Sequence, residues 1–130
     1  MIYSIAVTTP KNTPESAPLR TELPLEVGII HKVELDFPSG NQFLHRVQMH
    51  RYGSYIFPKN AQGFFTADGF VISFRENVEI TDDPRGIWIH SWNLDEDNDH
   101  TVLVRIGILP KAILTPWLLT WQEKVAATDL

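Results

Sequence analysis

The sequence predicts an all-β protein, an antiparallel β-sandwich or jelly roll of about seven or eight strands with an extended N-terminal arm and one C-terminal helix. Apolar and polar residues alternate along short segments between residues 27 and 109, as in strands with one buried face. Turn residues interrupt these segments at intervals of about eight to twelve residues, a spacing typical of sandwiches. Only the segment from residue 116 onward repeats its apolar residues at helical spacing.

Composition limits the classes of protein that remain. The chain has 130 residues, 43% of them hydrophobic and 21% charged, which is typical of one globular domain. It has no cysteine, so disulfides and cysteine-ligated zinc are excluded. A net charge of −5 argues against nucleic acid as a partner, because phosphates are bound by basic stripes. The basic side chains that cluster are His45, Arg46, His50 and Arg51.

No targeting or membrane segment is expected. The N-terminus lacks the basic and apolar regions of a signal peptide. No apolar run approaches the roughly 18 residues that a membrane span needs. A membrane is therefore not among the expected partners.

The first 26 residues predict a strand followed by a proline-rich arm. Residues 2–8 have the alternation of a short strand, and four prolines between residues 8 and 24 then exclude a regular helix. The arm would lie over the surface of a monomer or cross to a neighbouring copy. The expected organisation is an N-terminal strand and arm (1–26), a sandwich core (27–110) and a helical tail (111–130).

Residues 27–37 and 42–51 predict two strands joined as a hairpin. The odd positions of the first strand form its apolar face: Val27, Ile29, His31, Val33, Leu35 and Phe37. Matching the apolar faces of both strands puts Phe37 opposite Phe43, Leu35 opposite His45 and Val33 opposite Val47. This register also predicts that His31 and His45 lie diagonally near one another, as two hydrogen-bonded histidines rather than a pair of metal ligands.

Four further strands are predicted at residues 54–57, 70–75, 86–93 and 100–109. In the third, Ile87 and Ile89 form a core face, and Trp88, His90 and Trp92 form the opposite face. The fourth strand presents Val102, Val104, Ile106 and Ile108 to the core. These last two strands are expected to be joined by the acidic loop 94–99 and to pair with one another.

The C-terminal segment predicts a helix from Pro116 to about residue 127. Thr115 is a suitable N-cap, and proline is favoured at the first helical position. Trp117 and Trp121 then share the apolar stripe with Leu118 and Val125. The helix would dock through its two tryptophans.

The acidic loop suggests a cation site as a secondary candidate. Asp95, Asp97 and Asp99 have the spacing that begins an EF-hand loop. The sixth position is His100 instead of glycine, the twelfth is Ile106 instead of glutamate, and strands flank the loop. A solvated loop tip is the favoured explanation of the cluster and a weak calcium site is the alternative, so no metal and no cofactor is expected.

Catalytic signatures are missing from the sequence. It has no Gly-x-Ser-x-Gly, phosphate loop or dinucleotide fingerprint. The carboxylates of Glu22, Glu26 and Glu34 are not spaced in a way that requires a two-carboxylate site. The protein is therefore expected not to be an enzyme, and a small hydrolase or metal-dependent domain is the third interpretation of the chain.

The aromatic face of residues 86–93 is the candidate interface or ligand platform. Trp88, His90 and Trp92, with Leu103 and Arg105 on the expected partner strand, would form an exposed apolar patch if solvent reached it. The C-terminal helix could instead cover this face with Trp117 and Trp121. A row of tryptophans could also stack on sugar rings.

Several runs resemble small, uncharacterised virion-associated proteins of tailed bacteriophages, of the capsid-decoration kind. They are residues 8–14 (Thr-Thr-Pro-Lys-Asn-Thr-Pro), 58–63, 91–97, 99–102 and 105–109. The resemblance covers most of residues 4–109 and leaves out the helical tail. It implies a virion component such as a capsid decoration or a tail-associated β-sandwich, and it implies no catalytic residues.

The expected function is therefore structural. The chain would form part of a capsid or tail assembly through homo-oligomeric β-sandwich contacts, with a trimer as one candidate state. Its partners would be its own copies and other virion proteins such as the major capsid protein, and its location the virion, assembled in the host cytoplasm. The alternative is a carbohydrate-binding module that uses Trp88 and Trp92 as a stacking platform.

Overall fold

The computed structural model describes residues 1–51, 54–58, 63–81 and 86–110. These residues form eight strands and no helix, which confirms the all-β prediction. The strands are β1 Ile2–Thr9, β2 Leu19–Leu23, β3 Gly28–Phe37, β4 His45–Arg51, β5 Ser54–Phe57, β6 Phe70–Ile80, β7 Ile87–Asn93 and β8 His100–Leu109. The helix predicted from Pro116, with Trp117 and Trp121, lies outside the described residues.

The strands form two antiparallel sheets of four strands each. The first sheet has the order β1-β8-β3-β6, and the second has the order β2-β7-β4-β5. Among the described strands, β4 and β5 are the consecutive pair that hydrogen-bond to each other. At the other connections the chain passes from one sheet to the opposite sheet. A sandwich therefore forms in which almost every pairing is long-range.

The core lies between the two sheets and is built by alternate residues of the central strands. The predicted inward faces of β7 and β8 are confirmed, because Ile87, Ile89 and the four aliphatic residues from Val102 to Ile108 are fully buried. Val47 and Met49 of β4, Leu23 of β2 and Phe57 of β5 add to the inner face of the second sheet. Full burial of such side chains contributes about 1.5–3 kcal/mol each, so this layer accounts for much of the stability.

A β-bulge in β3 makes part of the predicted apolar face wrong. Its register against β6 and β8 shifts between Ile30 and Lys32. Ile30 is fully buried while Val27 is exposed, so the inward positions are even before the bulge and odd after it. The extra residue of a bulge interrupts the period of two, and alternation alone does not reveal it.

The predicted β3–β4 hairpin is wrong. β3 pairs with β6 and β8, and β4 pairs with β5 and β7, so the two strands belong to opposite sheets. Phe37 lies opposite Phe70 and not opposite Phe43, which is 54% exposed and precedes β4. Both strands direct apolar residues into the same core from opposite sides. Their patterns match for that reason, and not because they are neighbours.

Asn41 organises the crossing from β3 to β4. Its buried side-chain amide donates to the carbonyl oxygens of Ala67 and Pro38, at 2.8 and 3.2 Å. Its side-chain oxygen accepts from the backbone N–H of Phe43 at 2.8 Å. Gly40 adopts a φ of 109°, which favours glycine. These bonds satisfy polar groups that the core would otherwise leave unpaired.

The proline-rich arm follows the second sheet of its own chain. Thr13 exchanges two backbone hydrogen bonds with Asn93, each of 3.0 Å. β2 then pairs with β7 along its whole length. The arm thus brings residues 15–20 beside the outer face of β7.

Candidate functional site

A cleft of about 560 Å³ opens on the outer face of the second sheet. This volume lies within the range of about 300–1,000 Å³ typical of small-molecule sites. The arm, β2, β4 and β7 all contribute to its walls. The lining residues are Glu15, Ser16, Pro18, Arg20, Gln48, His50, Trp88, His90 and Trp92.

Strand alternation places the cleft residues on one face. Because Ile87 and Ile89 point into the core, Trp88 and His90 point outward from β7. Pairing then sets their neighbours, since His90 lies opposite Arg20 of β2 and opposite Gln48 of β4. One row of polar side chains therefore crosses three strands. His50 lies opposite Trp88 in the next row.

The imidazoles of His50 and His90 are stacked against each other in the wall of the cleft. Their ring centroids lie 3.7 Å apart and their planes differ by 8°. The Oε1 atom of Gln48 lies 3.3 Å from Nε2 of His50, and its amide donates to the carbonyl oxygen of Gly63 at 2.5 Å. Gln48 thus holds one ring of the pair in position.

Both imidazoles are held in the neutral form. Burial, with positive charge on His50 and on Arg20 as lesser causes, lowers the pKa of His90 to about 4. Burial also lowers the pKa of His50, with Arg20 as the second cause. A neutral imidazole carries one N–H donor and one acceptor nitrogen. At neutral pH the pair therefore offers hydrogen-bonding groups and no charge.

The two tryptophans of β7 differ sharply in exposure. Trp88 is 39% exposed, whereas Trp92 is 1% exposed. Phe64 covers Trp92 edge-on with ring centroids 5.9 Å apart, and the Arg46 guanidinium lies 4.6 Å above the Phe64 ring. Trp88 and Trp92 therefore do not form a flat double platform. Trp92 forms part of the cleft floor, and Trp88 is the accessible aromatic wall.

The predicted position of Arg105 beside these aromatic residues is wrong. β8 pairs with β1 and β3 of the first sheet and not with β7. Arg105 contacts the carboxylates of Glu34 at 3.5 Å and Asp36 at 3.9 Å. It thus lies on the other sheet from the cleft. Trp117 and Trp121 lie outside the described residues.

Glu15, Arg20 and Gln48 were not among the site residues predicted from the sequence, and His50 was predicted only as part of a basic cluster. Alternation along β4 does indicate that Gln48 and His50 face outward. The pairing of β2 and β4 with β7 is needed to place them beside His90, and the sequence does not show it. His45, from the same basic cluster, is fully buried and contributes nothing to the surface.

The acidic loop uses its carboxylates to fix its own backbone. Asp95 accepts from the backbone N–H of Asp97 at 2.9 Å and lies 2.8 Å from Nε2 of His100. These contacts lower the pKa of Asp95. Asp99 accepts from the backbone N–H of Lys11 at 2.8 Å. Within the part of the chain that the structure describes, no three potential ligands are grouped to hold a metal.

The predicted proximity of His31 and His45 is wrong, because their strands lie in opposite sheets. His31 lies beside Gly107 of β8, where an added Cβ would approach its Nε2 to 2.8 Å. His45 is in the core, with Nε2 2.8 Å from Oγ1 of Thr9. Burial lowers the pKa of His45 to about 4, with His100 as a lesser cause.

The fold and the site together define an antiparallel β-sandwich with a ligand-sized, aromatic and imidazole-lined cleft on one face. Comparisons of the chain with protein families, with curated proteins and with solved structures give no match. The described residues contain no helix long and apolar enough to cross a membrane.

Proposed function

We propose that this chain is a structural, non-enzymatic component of a virus particle, built into a capsid or tail assembly through contacts between copies of its β-sandwich. The observation that carries the proposal is the strand order, β1-β8-β3-β6 facing β2-β7-β4-β5. An eight-stranded double sheet in which the chain passes repeatedly between layers supports the interpretation of the sandwich as a jelly roll. Jelly rolls are recurrent in viral capsid proteins and in lectin domains.

The sheet edges supply surfaces for such contacts. β6 is an 11-residue strand that pairs with β3, and no described strand pairs with its other side. Phe70 and Val71 at its start are 64% and 42% exposed. Long edges with exposed apolar residues favour addition of another chain, so β6 is the proposed contact with a second copy.

The proposed location is the virion, after assembly in the host cytoplasm. The partners are further copies of this chain, with a trimer as one candidate state, and other virion proteins such as the major capsid protein. The resemblance of residues 4–109 to virion-associated proteins of tailed bacteriophages supports this assignment. Nucleic acid and membrane are not among the proposed partners, in keeping with the net charge of −5.

Light scattering coupled to size-exclusion chromatography tests the proposal. We expect an oligomer that V71K dissociates, because a charge at the proposed edge contact opposes pairing. L94K is the matched control, since Leu94 is 41% exposed but lies in the loop after β7. A strict monomer at every concentration, together with no binding to purified phage shells, contradicts the proposal.

The cleft favours a second candidate function, a carbohydrate-binding module. The expected binding surface of such a module was a platform of Trp88 and Trp92. In the structure, of these two residues, Trp88 is accessible and Trp92 lies beneath Phe64. Binding would then take place in a pocket and not on a two-tryptophan platform. A glycan array with tryptophan fluorescence as a second readout tests this function, and a flat response on both removes it.

A further inference from the structure

We propose that the cleft of the second sheet binds a saccharide that carries a carboxylate, such as a uronic or sialic acid residue, with the carboxylate on Arg20 and the sugar ring against Trp88. This inference rests on the carbohydrate-binding candidate and names its class of ligand. It does not depend on the proposed role in assembly. Three features of the cleft carry it: an accessible aromatic wall, fixed neutral polar groups and an unpaired cation.

The aromatic wall suits the apolar face of a sugar ring. Trp88 is the more exposed of the two tryptophans in the cleft, at 39%. An indole presents a large rigid surface at little entropic cost, and its face attracts C–H groups through dispersion and its quadrupole. The cleft volume of about 560 Å³ accommodates more than one small ring.

The floor of the cleft suits hydroxyl groups. Gln48 and His50 are both buried, and Gln48 is fixed by its bonds to Gly63 and His50. The stacked neutral imidazoles of His50 and His90 add donors and acceptors without charge. Preorganised groups of this kind bind hydroxyls without a large ordering cost.

Arg20 makes the cleft selective for an anion. It lines the cleft beside the imidazole stack, and it takes part in none of the ion pairs found among residues 1–51, 54–58, 63–81 and 86–110. Two other arginines already have partners: Arg46 lies over the Phe64 ring, and Arg105 contacts the carboxylate of Glu34. An unengaged guanidinium can accept a carboxylate in a bidentate fork.

Glu15 further restricts the class of ligand that fits the cleft. It is the other charged residue in the cleft wall, and Glu22 lies opposite Trp88 on β2. A small dianion such as phosphate would pair with Arg20 but would also face Glu15 and leave Trp88 uncovered. A neutral sugar would cover Trp88 and leave Arg20 unpaired. A sugar acid would contact all three side chains. Its carboxylate would pair with Arg20, its hydroxyls would donate to Glu15, and its ring would cover Trp88.

Matched ligand pairs test the inference directly. Titrations followed by tryptophan fluorescence and saturation-transfer NMR would compare the methyl glycosides of glucuronic and galacturonic acid with those of glucose and galactose. A methyl sialoside would be compared with its methyl ester. We expect each acid to bind at least about tenfold more tightly than its neutral partner, as one charge-assisted bidentate pair allows.

Variants locate the binding. R20Q should remove the acid-over-neutral preference, and R20K should retain only part of it, because lysine keeps the charge without the fork. W88A should weaken both ligands of each pair. R75Q is the matched control, since it removes the same charge from β6 of the other sheet and should change neither affinity. Circular dichroism checks folding, and R20K keeps the test valid if R20Q does not fold.

Three results overturn the inference, and they differ in what they leave standing. Equal binding of acid and neutral partners refutes the sugar-acid preference and leaves the carbohydrate candidate intact. Inorganic phosphate that displaces the acids at equal concentration shows a general anion site. Binding of no saccharide of either kind removes both the inference and the carbohydrate candidate.

Discussion

The outer faces of the two sheets are built from equivalent positions and yet differ in chemistry. On the first sheet, Glu34 lies 2.9 Å from Lys32 and 3.5 Å from Arg105. On the second sheet, the corresponding outward positions of β4 and β7 carry two stacked neutral imidazoles and a half-exposed indole. The first face is a solvated ionic network, whereas the second encloses a cleft.

The two outer faces contribute differently to stability and to function. Exposed ion pairs contribute about 0–1 kcal/mol each, so the first face gives solubility with little effect on stability. On the second face, the buried imidazole of His50 and the partly buried imidazole of His90 stay neutral and so add no charge to the surface, and their burial lowers stability at acid pH. Specialisation is therefore expected on the second sheet, and substitutions on the two faces should behave differently.

The largest expected effect separates the two tryptophans of β7. W92A should lower the free energy of unfolding by about 3–5 kcal/mol, because it opens a cavity beneath Phe64. W88A should lower it by about 1 kcal/mol or less, because that indole is partly in solvent already. Urea unfolding at neutral pH measures both. If both variants lowered the free energy of unfolding by similar amounts, the assignment of Trp92 to the buried cleft floor and of Trp88 to its accessible wall would be wrong.

Acid should destabilise the two sheets in different pH windows. Burial lowers the pKa of His45 from 6.5 to about 4, so its neutral side chain stabilises the fold fully above about pH 6.5. As pH falls from 6.5 toward 4, His45 becomes protonated in the unfolded chain but stays neutral in the folded chain. The free energy of unfolding therefore falls by about 3 kcal/mol over this range. The hydrogen bond from Lys32, with the charges of Lys32 and Arg105 as further causes, lowers the pKa of Glu34, so its contribution on the first sheet is lost only below about pH 4.5.

Urea unfolding from pH 8 to pH 3.5 checks both windows. H45Q should flatten the slope of stability between pH 6.5 and 4, and E34Q should leave that slope unchanged. His50 and His90 account for the slope that H45Q leaves. An unaltered slope in H45Q contradicts the assignment of His45 as a buried neutral group.

A smaller effect concerns charge within the cleft. R20Q should raise the pKa of His90 and of His50, because the Arg20 charge is one cause of both depressions. Burial is the larger cause, so both pKa values should stay below the ordinary value of 6.5. NMR titration of the imidazole C–H resonances gives both midpoints. R75Q on the first sheet serves as the control and should move neither.

The smallest expected effect lies on the ionic face. R105Q should change the free energy of unfolding by less than about 1 kcal/mol, because its carboxylate partners remain in solvent. Denaturant titration at low and high salt measures it, and salt should shrink the difference further. A loss comparable to that of W92A would mean that the ionic face is as specialised as the cleft.

Local pattern was sufficient to predict most strands. Residues 54–57 and 100–109 were predicted with the bounds that the structure has, and the inward faces of β7 and β8 follow directly from alternation. The prediction of the apolar face of β3 was partly wrong, because the bulge at residues 30–32 adds a residue and so interrupts the alternation. Both predicted hairpins, β3–β4 and β7–β8, were wrong because their strands belong to different sheets.

The alternation of residues was enough to predict the class of fold, most of the strands and the side of most strands that faces the core, because alternation is a local property of the backbone. It did not predict β2, which lies in the segment assigned to the arm. The identity of neighbouring strands becomes evident from the sheet pairings alone. Two strands that face the core from opposite layers carry the same pattern as two strands paired in one layer, so local pattern cannot distinguish them. The row of Arg20, His90 and Gln48 depends entirely on that choice. Alternation in residues 87–93 therefore predicted the aromatic face of β7. The pairing of β7 with β2 and β4 makes that face part of a cleft.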